Sequence, residues 1–100
     1  MAGYDQEIRE DARLIMLKAL NGQVDERLHS GYLQAELQRF GIDRAREWIH
    51  GELDWLAEMG VVTLTKPGTV VVATLAEKGA RHLRRGVVIE GIKRPGRPGE

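Results

Sequence analysis

The chain has no cysteine, no net charge and no long hydrophobic run. Its 100 residues contain fifteen basic side chains and fifteen acidic ones. Without cysteine there is no disulfide, no thiolate nucleophile and no zinc site built from Cys ligands, and a reducing cytoplasm fits this composition best. Because the formal charge cancels, the molecule as a whole does not attract nucleic acid or anionic membranes.

Membrane and catalytic patterns are also lacking. No apolar stretch approaches the roughly 18 residues of a membrane span, and the segment MAGYDQEIREDARL is too charged for a signal peptide. No Ser/His/Asp arrangement or glycine-rich phosphate loop can be read. His29, His50 and His82 fall on three different predicted elements, without metal-ligand spacing. We therefore expect a cytoplasmic protein with no membrane partner, no enzyme activity, no metal and no cofactor.

The charge that is present is distributed unevenly. Residues 1–75 hold eight Lys/Arg against twelve Asp/Glu, a net charge of −4, whereas residues 76–100 hold seven against three, a net charge of +4. Any attraction to phosphate must therefore come from a local surface, and the C-terminal end is the most basic part of the chain.

Apolar residues recur at helical spacing in four segments. In the first segment Ile8, Ala12, Ile15 and Ala19 recur at this spacing, and the apolar face is widened to a broad buried side by Leu14, Leu17 and Leu20. Asp43 is the predicted N-cap of the third segment. The predicted helices cover residues 5–21, 30–40, 44–59 and 75–85.

Turns and strands separate these helices. Gly41-Ile42-Asp43 predicts a tight turn between the second and third helices. After the third helix, the sequence VVTLTKPGTVVVAT alternates as a β-hairpin does, with a turn at Lys66-Pro67-Gly68-Thr69. Thr74 and Glu77 then predict a capping box for the last helix. A short strand is expected within residues 24–29.

This order of elements predicts an α+β, mainly helical fold of the winged helix-turn-helix type, with three helices, a β-hairpin wing and a C-terminal helix. Residues 1–86 would form this domain and residues 87–100 a flexible basic tail. A generic small α+β domain is the alternative.

The predicted fold favours duplex DNA as the partner. In winged helices the start of the second motif helix reaches base edges and the wing contacts phosphate or the minor groove. The candidate DNA contacts are Arg44, Arg46 and His50 at the start of the third helix, Lys66 in the wing, Lys78, Arg81, Arg84 and Arg85 on the last helix, and Lys93, Arg94 and Arg97 in the tail.

Two features point instead to a protein partner. Residues 43–59 hold two arginines against five acids, and a phosphate-facing surface should not carry a net charge of −3. Trp48 and Trp55 share a helix face, and they either pack in the core or anchor a partner. With Ile89 and Ile92 they are the candidate contacts of a homodimer or another protein partner.

Three segments resemble a family of small proteins encoded by Mu-like bacteriophages and prophages: YDQEIREDARLIMLKAL, REWIHGELDWLAEMGVVTLT and VVIEGIKRPGRPGE. The resemblance implies a phage protein of about this length, encoded near the packaging and head genes, and it transfers no site residue. The segment LAEMGVVTLTKPGTVVVATLAEKGARHL is similar to the wing and following helix of MarR-like and ArsR-like transcription regulators. The third helix is more acidic here than the recognition helix of those regulators.

Two functional hypotheses follow. The first is a phage-encoded winged-helix protein that binds double-stranded DNA in the bacterial host cytoplasm, as a regulator or a packaging accessory, and forms a homodimer. The second is a protein–protein interaction module of phage assembly or host-factor binding that keeps the fold and does not bind DNA.

Overall fold

Four helices and three strands make up the part of the chain that the computed structural model describes, residues 2–96. The sheet has the order β1–β3–β2, and both pairs of neighbouring strands are antiparallel. The prediction of a mainly helical α+β domain with a β-hairpin is confirmed. The elements are α1 (Ala2–Asn21), β1 (Arg27–His29), α2 (Ser30–Arg39), α3 (Arg46–Glu58), β2 (Val62–Thr65), β3 (Val72–Leu75) and α4 (Glu77–Leu83).

The core lies where α1 packs on α2, α3, α4 and the sheet, and it covers most of the broad apolar face predicted for α1. Ala12, Leu17 and Leu20 of that face are fully buried, as is Met16 beside them. Ile15 and Ala19, at one edge of the face, are only partly buried. The predicted buried side of α1 is therefore confirmed, except along this edge.

The turn between α2 and α3 is longer than predicted, and Asp43 is not the N-cap of α3. The helix begins at Arg46, with Ala45 as an N-cap that makes no side-chain hydrogen bond. Asp43 instead accepts a hydrogen bond from Gln38 Nε2 at 3.1 Å, because the chain is still extended at this point. Gly41 has φ +82°, the left-handed conformation in which glycine commonly ends a helix.

The predicted capping box of α4 does not form either. Thr74 lies in β3, because the strand pairing continues to Leu75, whose N–H donates to the Glu26 carbonyl at 2.8 Å. The helix begins at Glu77, and its N-cap, Ala76, makes no side-chain hydrogen bond. Backbone pairing in the sheet has displaced the local cap.

The hairpin between β2 and β3 has a longer tip than predicted. Residues 66–71 connect the two strands. The Val70 N–H donates to the Pro67 carbonyl at 3.1 Å, so the turn lies one residue later in the chain than predicted. Gly68 has φ +60°, a conformation that glycine adopts at little cost.

Residues 87–96 pack against the helices and do not extend as a free tail. Ile89 and Ile92 are each 4% exposed, and Pro95 is also buried. The Lys93 N–H donates to the Glu10 carbonyl of α1 at 3.3 Å. Residues 87–96 thus pack on the domain that is predicted for residues 1–86. Residues 97–100 of the predicted tail lie outside the described residues.

Candidate functional site

The start of α3 brings three of the predicted DNA contacts next to α2. Arg46 is exposed, and its Nε donates to Gln34 Oε1 at 2.9 Å. Gln34 Nε2 in turn donates to the Arg44 carbonyl at 2.8 Å. His50 is half-buried, with its Nε2 2.9 Å from the hydroxyl of buried Ser30. Arg46 can therefore reach a ligand, whereas His50 already holds α3 against the first residue of α2.

Lys66, in the connection between β2 and β3, also lies near α3. Its Nζ is 3.5 Å from Asp54 Oδ1, and both side chains are exposed. An exposed ion pair of this kind contributes at most about 1 kcal/mol. Lys66 can therefore exchange this carboxylate for a phosphate at little cost.

The predicted DNA contacts on α4 lie away from the start of α3. Lys78 marks the separation, because its Nζ donates at 2.8 Å to the carbonyl of Met59, at the C-terminal end of α3. Arg46 is at the other end of that helix, about 20 Å away at a rise of 1.5 Å per residue. Lys78 and Arg46 therefore lie at opposite ends of α3.

Two of the α4 arginines are engaged within the chain. Arg84 pairs with Glu77 at 3.0 Å across the exposed face of α4. Arg85 has φ +64° and occupies the left-handed position that ends the helix, and its guanidinium donates to the Pro95 carbonyl. Arg81 is exposed. Arg85 thus connects α4 to the C-terminal segment.

The predicted basic contacts of the C-terminal segment lie beside α1. Lys93 Nζ is 3.0 Å from Asp11 Oδ1, and both side chains are largely exposed. Arg94 is exposed, and it borders an open groove that Arg44 also lines. Arg97 lies outside the described residues.

A buried ion pair joins α1 to α3. Arg13 Nε donates to Glu52 Oε1 at 2.6 Å, and each side chain is 6% exposed. The guanidinium carbon lies 3.8 Å from the ring centroid of Trp55, and the NH1 group donates to the Gly91 carbonyl at 2.7 Å. Glu52 is therefore not one of the exposed acids of α3.

The periodicity of α3 contains a signal for this pair that the sequence analysis missed. Glu52 follows Trp48 by four residues and precedes Trp55 by three, so it shares their face of the helix. Arg13 precedes Met16 by three residues and Leu17 by four, so it lies on the same face of α1 as these two apolar residues. Charged residues are seldom fully buried unless they are paired, so one on the buried face of each of two neighbouring helices predicts an ion pair.

The residues predicted as dimer or partner contacts are covered mostly by the chain itself. Arg13 lies over the ring of Trp55, and Ile89 and Ile92 are buried against the domain. Trp48 is partly buried, with the Arg44 guanidinium 5.5 Å from its ring centroid. Core packing accounts for these side chains. The large apolar residues that are exposed are different ones: Tyr4, Val24, Tyr32, Phe40, Val70 and Val88.

Neither a membrane span nor a metal cluster is present within residues 2–96. No helix in this range is long and apolar enough to cross a membrane. No group of three or more histidine, aspartate or glutamate residues there is arranged to hold a metal ion.

Comparison with known proteins shows one similarity that covers nearly the whole chain. A protein of Escherichia phage Mu, with the name "Uncharacterized protein gp26", is 32% identical over 91 residues, which are 88% of this chain and 91% of the Mu protein. No family model and no solved structure matches the chain. The similarity therefore shows a family and no activity.

Proposed function

This chain belongs to the phage protein family of Mu gp26, and we propose that it is a winged-helix protein that binds duplex DNA. The order of its elements supports the winged-helix assignment. α2 and α3 form a helix-turn-helix, and the β2–β3 hairpin that follows takes the place of the wing. In this fold the second helix of the motif and the wing face the DNA.

The position of Glu52 is the observation that carries the DNA proposal. The sequence count of −3 over residues 43–59 argues against DNA, but Glu52 faces α1 and pairs with Arg13. Asp54 lies beside Lys66 of the wing. The first turn of α3 therefore presents Arg46 with less opposing charge than the sequence suggests.

The proposed interface consists of the start of α3 and the wing. Arg46 contacts the DNA from the first turn of α3, and Lys66 contacts a phosphate from the wing. Arg44 lies beside them and adds positive charge. Lys78 of α4 contacts the opposite end of α3, about 20 Å along the helix from Arg46, so we place the α4 cations outside this interface. Such a protein would serve the phage as a regulator or a packaging accessory.

Arg46→Ala is expected to weaken DNA binding and to reduce its salt dependence. Each phosphate contact contributes roughly −0.9 to the slope of log K against log salt, so losing one should make the slope shallower by about that amount. The measurement is fluorescence anisotropy of a labelled random-sequence duplex at several salt concentrations. Arg84→Ala is the matched control, since this exposed arginine lies on α4 and should leave the slope unchanged.

The two variants also distinguish a wrongly placed interface from the absence of DNA binding. Equal losses for Arg46→Ala and Arg84→Ala would extend the interface to the end of α4, and unchanged binding by Arg46→Ala would place it elsewhere on the molecule. No binding by the unaltered protein even at low salt would overturn the DNA proposal itself.

The acids that remain exposed on α3 favour the second candidate function, a protein-interaction module. Glu47, Asp54 and Glu58 are exposed along the helix. A basic patch on a phage or host protein would complement this surface. If this hypothesis is right, α3 meets a protein and not a DNA groove.

Charge reversal at Asp54 and Glu58 distinguishes the two candidates. The double variant with lysine at both positions is expected to bind duplex DNA more tightly and with a steeper salt slope, because each added phosphate contact contributes roughly −0.9. Unchanged DNA binding together with loss of a captured phage or host protein would favour the interaction module. Glu52 is left out of the variant, because its reversal would disrupt the buried pair with Arg13.

A further inference from the structure

An open groove with an apolar floor lies between α1 and the turn that connects α2 to α3. Its volume is about 740 Å³. The floor is formed by Ile8 and Ile15 of α1 and by Phe40 and Ile42 of the turn. The three isoleucines are partly buried, whereas Phe40 is 62% exposed. A large aromatic side chain thus stands uncovered beside other apolar residues.

The groove continues along α1 towards its C-terminal end. A second hollow shares Ile15 and Phe40 with the first, and a third, which extends to Gln23, shares Lys18 and Ala19 with the second. From Ile8 to its last residue, Asn21, α1 rises about 20 Å, which is between three and four turns of an α-helix. The groove is therefore long enough to hold a helix lying beside α1.

The rim of the groove is positively charged. Of the two acids that line it, Asp11 pairs with Lys93 and Glu36 pairs with Arg39. Within residues 2–96, the remaining rim cations form no ion pair with an acidic side chain. They are Lys18, Arg44 and Arg94.

The α1 part of this floor belongs to the side of the helix that the rest of the chain leaves partly uncovered. Ile8, Ile15 and Ala19 have the helical spacing of a buried stripe, yet the core of the domain forms on the neighbouring side, around Met16 and Leu17. A contiguous apolar surface rimmed by polar residues is typical of an interaction site. The charge of the rim indicates which kind of partner it accepts.

We infer that this groove binds an acidic amphipathic helix of a partner protein. Apolar side chains at helical spacing on the partner would enter the groove between Ile15 and Phe40. Its acidic residues would face Lys18, Arg44 and Arg94. A second copy of this chain fits less well, because a symmetric contact through this face would bring the same three cations together. Arg44 borders both this groove and the proposed DNA interface, so the variants that test the inference are at Phe40 and Lys18, which lie only in the groove.

The test uses a fluorescein-labelled peptide of about 16 residues, enough for about four helical turns. It carries leucines at positions i, i+4, i+7 and i+11, with glutamates on the flanking positions. A second peptide carries lysine in place of every glutamate. Binding to the full chain is measured by fluorescence anisotropy, and circular dichroism verifies that each protein variant is folded.

The acidic peptide is expected to bind and the basic one not to bind. Phe40→Ala and Lys18→Glu should each weaken binding roughly tenfold, as expected for loss of an interface anchor or of a complementary charge. Tyr4→Ala is the control for Phe40, since Tyr4 is an exposed aromatic residue that does not line the groove. Arg81→Glu is the control for Lys18, since it reverses an exposed charge on α4. Neither control should change the affinity.

Several outcomes would overturn the inference. One is no binding of the acidic peptide, and another is equal binding of both peptides or equal losses in the groove variants and their controls. A dimer in sedimentation that Phe40→Ala converts to a monomer would assign the groove to a second copy. A Lys18→Glu variant with a shallower salt slope for DNA would assign it to DNA. The Arg46→Ala experiment is unaffected by any of these results.

Discussion

Arg13→Met is expected to lower the free energy of unfolding by about 3–5 kcal/mol, because it leaves the carboxylate of Glu52 buried without its partner. Domains of ordinary size have a total stability of about 5–15 kcal/mol, so this single change would remove much of it. The Gly91 carbonyl would also lose the donor that holds residues 87–92 against α1. Urea denaturation followed by circular dichroism measures the effect.

Two further variants test the cause of this loss. Arg9 also approaches Glu52, with its NH1 3.5 Å from Oε2, but from a side chain that is substantially exposed. Arg9→Met should therefore cost less than about 1 kcal/mol. Combining Arg13→Met with Glu52→Leu should recover most of the stability, because no unpaired buried charge remains. If Arg13→Met costs no more than Arg9→Met, the buried pair is not what stabilises the contact between α1 and α3.

Gly79→Ala is expected to destabilise the protein by about 1–3 kcal/mol, although alanine is the better helix former. A Cβ at this position would lie 2.4 Å from the Val61 carbonyl oxygen and 2.8 Å from Leu75 Cδ1. The carbonyl cannot move freely, because it accepts a hydrogen bond from the Ala76 N–H at 2.9 Å. The added methyl group would therefore push α4 away from the start of the hairpin. Thermal and urea denaturation measure the loss.

Gly51→Ala provides the matched control within another helix of the same chain. A Cβ at position 51 of α3 meets no atom within 4 Å, and the residue is exposed. This substitution should stabilise the protein by about 0.5–1 kcal/mol through helix propensity and reduced freedom of the unfolded chain. If both substitutions changed the free energy of unfolding with the same sign and size, a methyl group at position 79 would not clash with the Val61 carbonyl.

Most of the secondary structure could be predicted from the sequence, because it depends on short-range spacing. Gly41 and Gly60 end α2 and α3 in the left-handed conformation, as glycines after an apolar helical pattern commonly do. The details that failed depend on distant segments. Thr74 does not cap α4, because β3 pairs there with β1 and β2. Ile15 and Ala19 of α1 stay only partly buried, because the core forms around Met16 and Leu17.

The sequence predicts which element holds each candidate residue, but it does not predict which of these residues lie close together in space. Arg46 is the first residue of α3, and Lys66 lies between β2 and β3. Lys78 of α4 was predicted to contact DNA together with them, yet its Nζ contacts the C-terminal end of α3, away from Arg46. Whether two charged residues share a surface depends on the relative orientation of their helices, and the local sequence does not determine that orientation.

By itself, the sequence determined the four helices, the hairpin and the α+β class, since hydrophobic period and turn residues act over a few neighbouring positions. Only the tertiary structure decided that Glu52 faces inward, that Ile89 and Ile92 return to cover the domain, and that the groove beside Ile15 stays open. Arg13 and Glu52 are 39 residues apart in the chain. Such contacts form when whole faces of helices are buried together, so they depend on the packing of the entire domain.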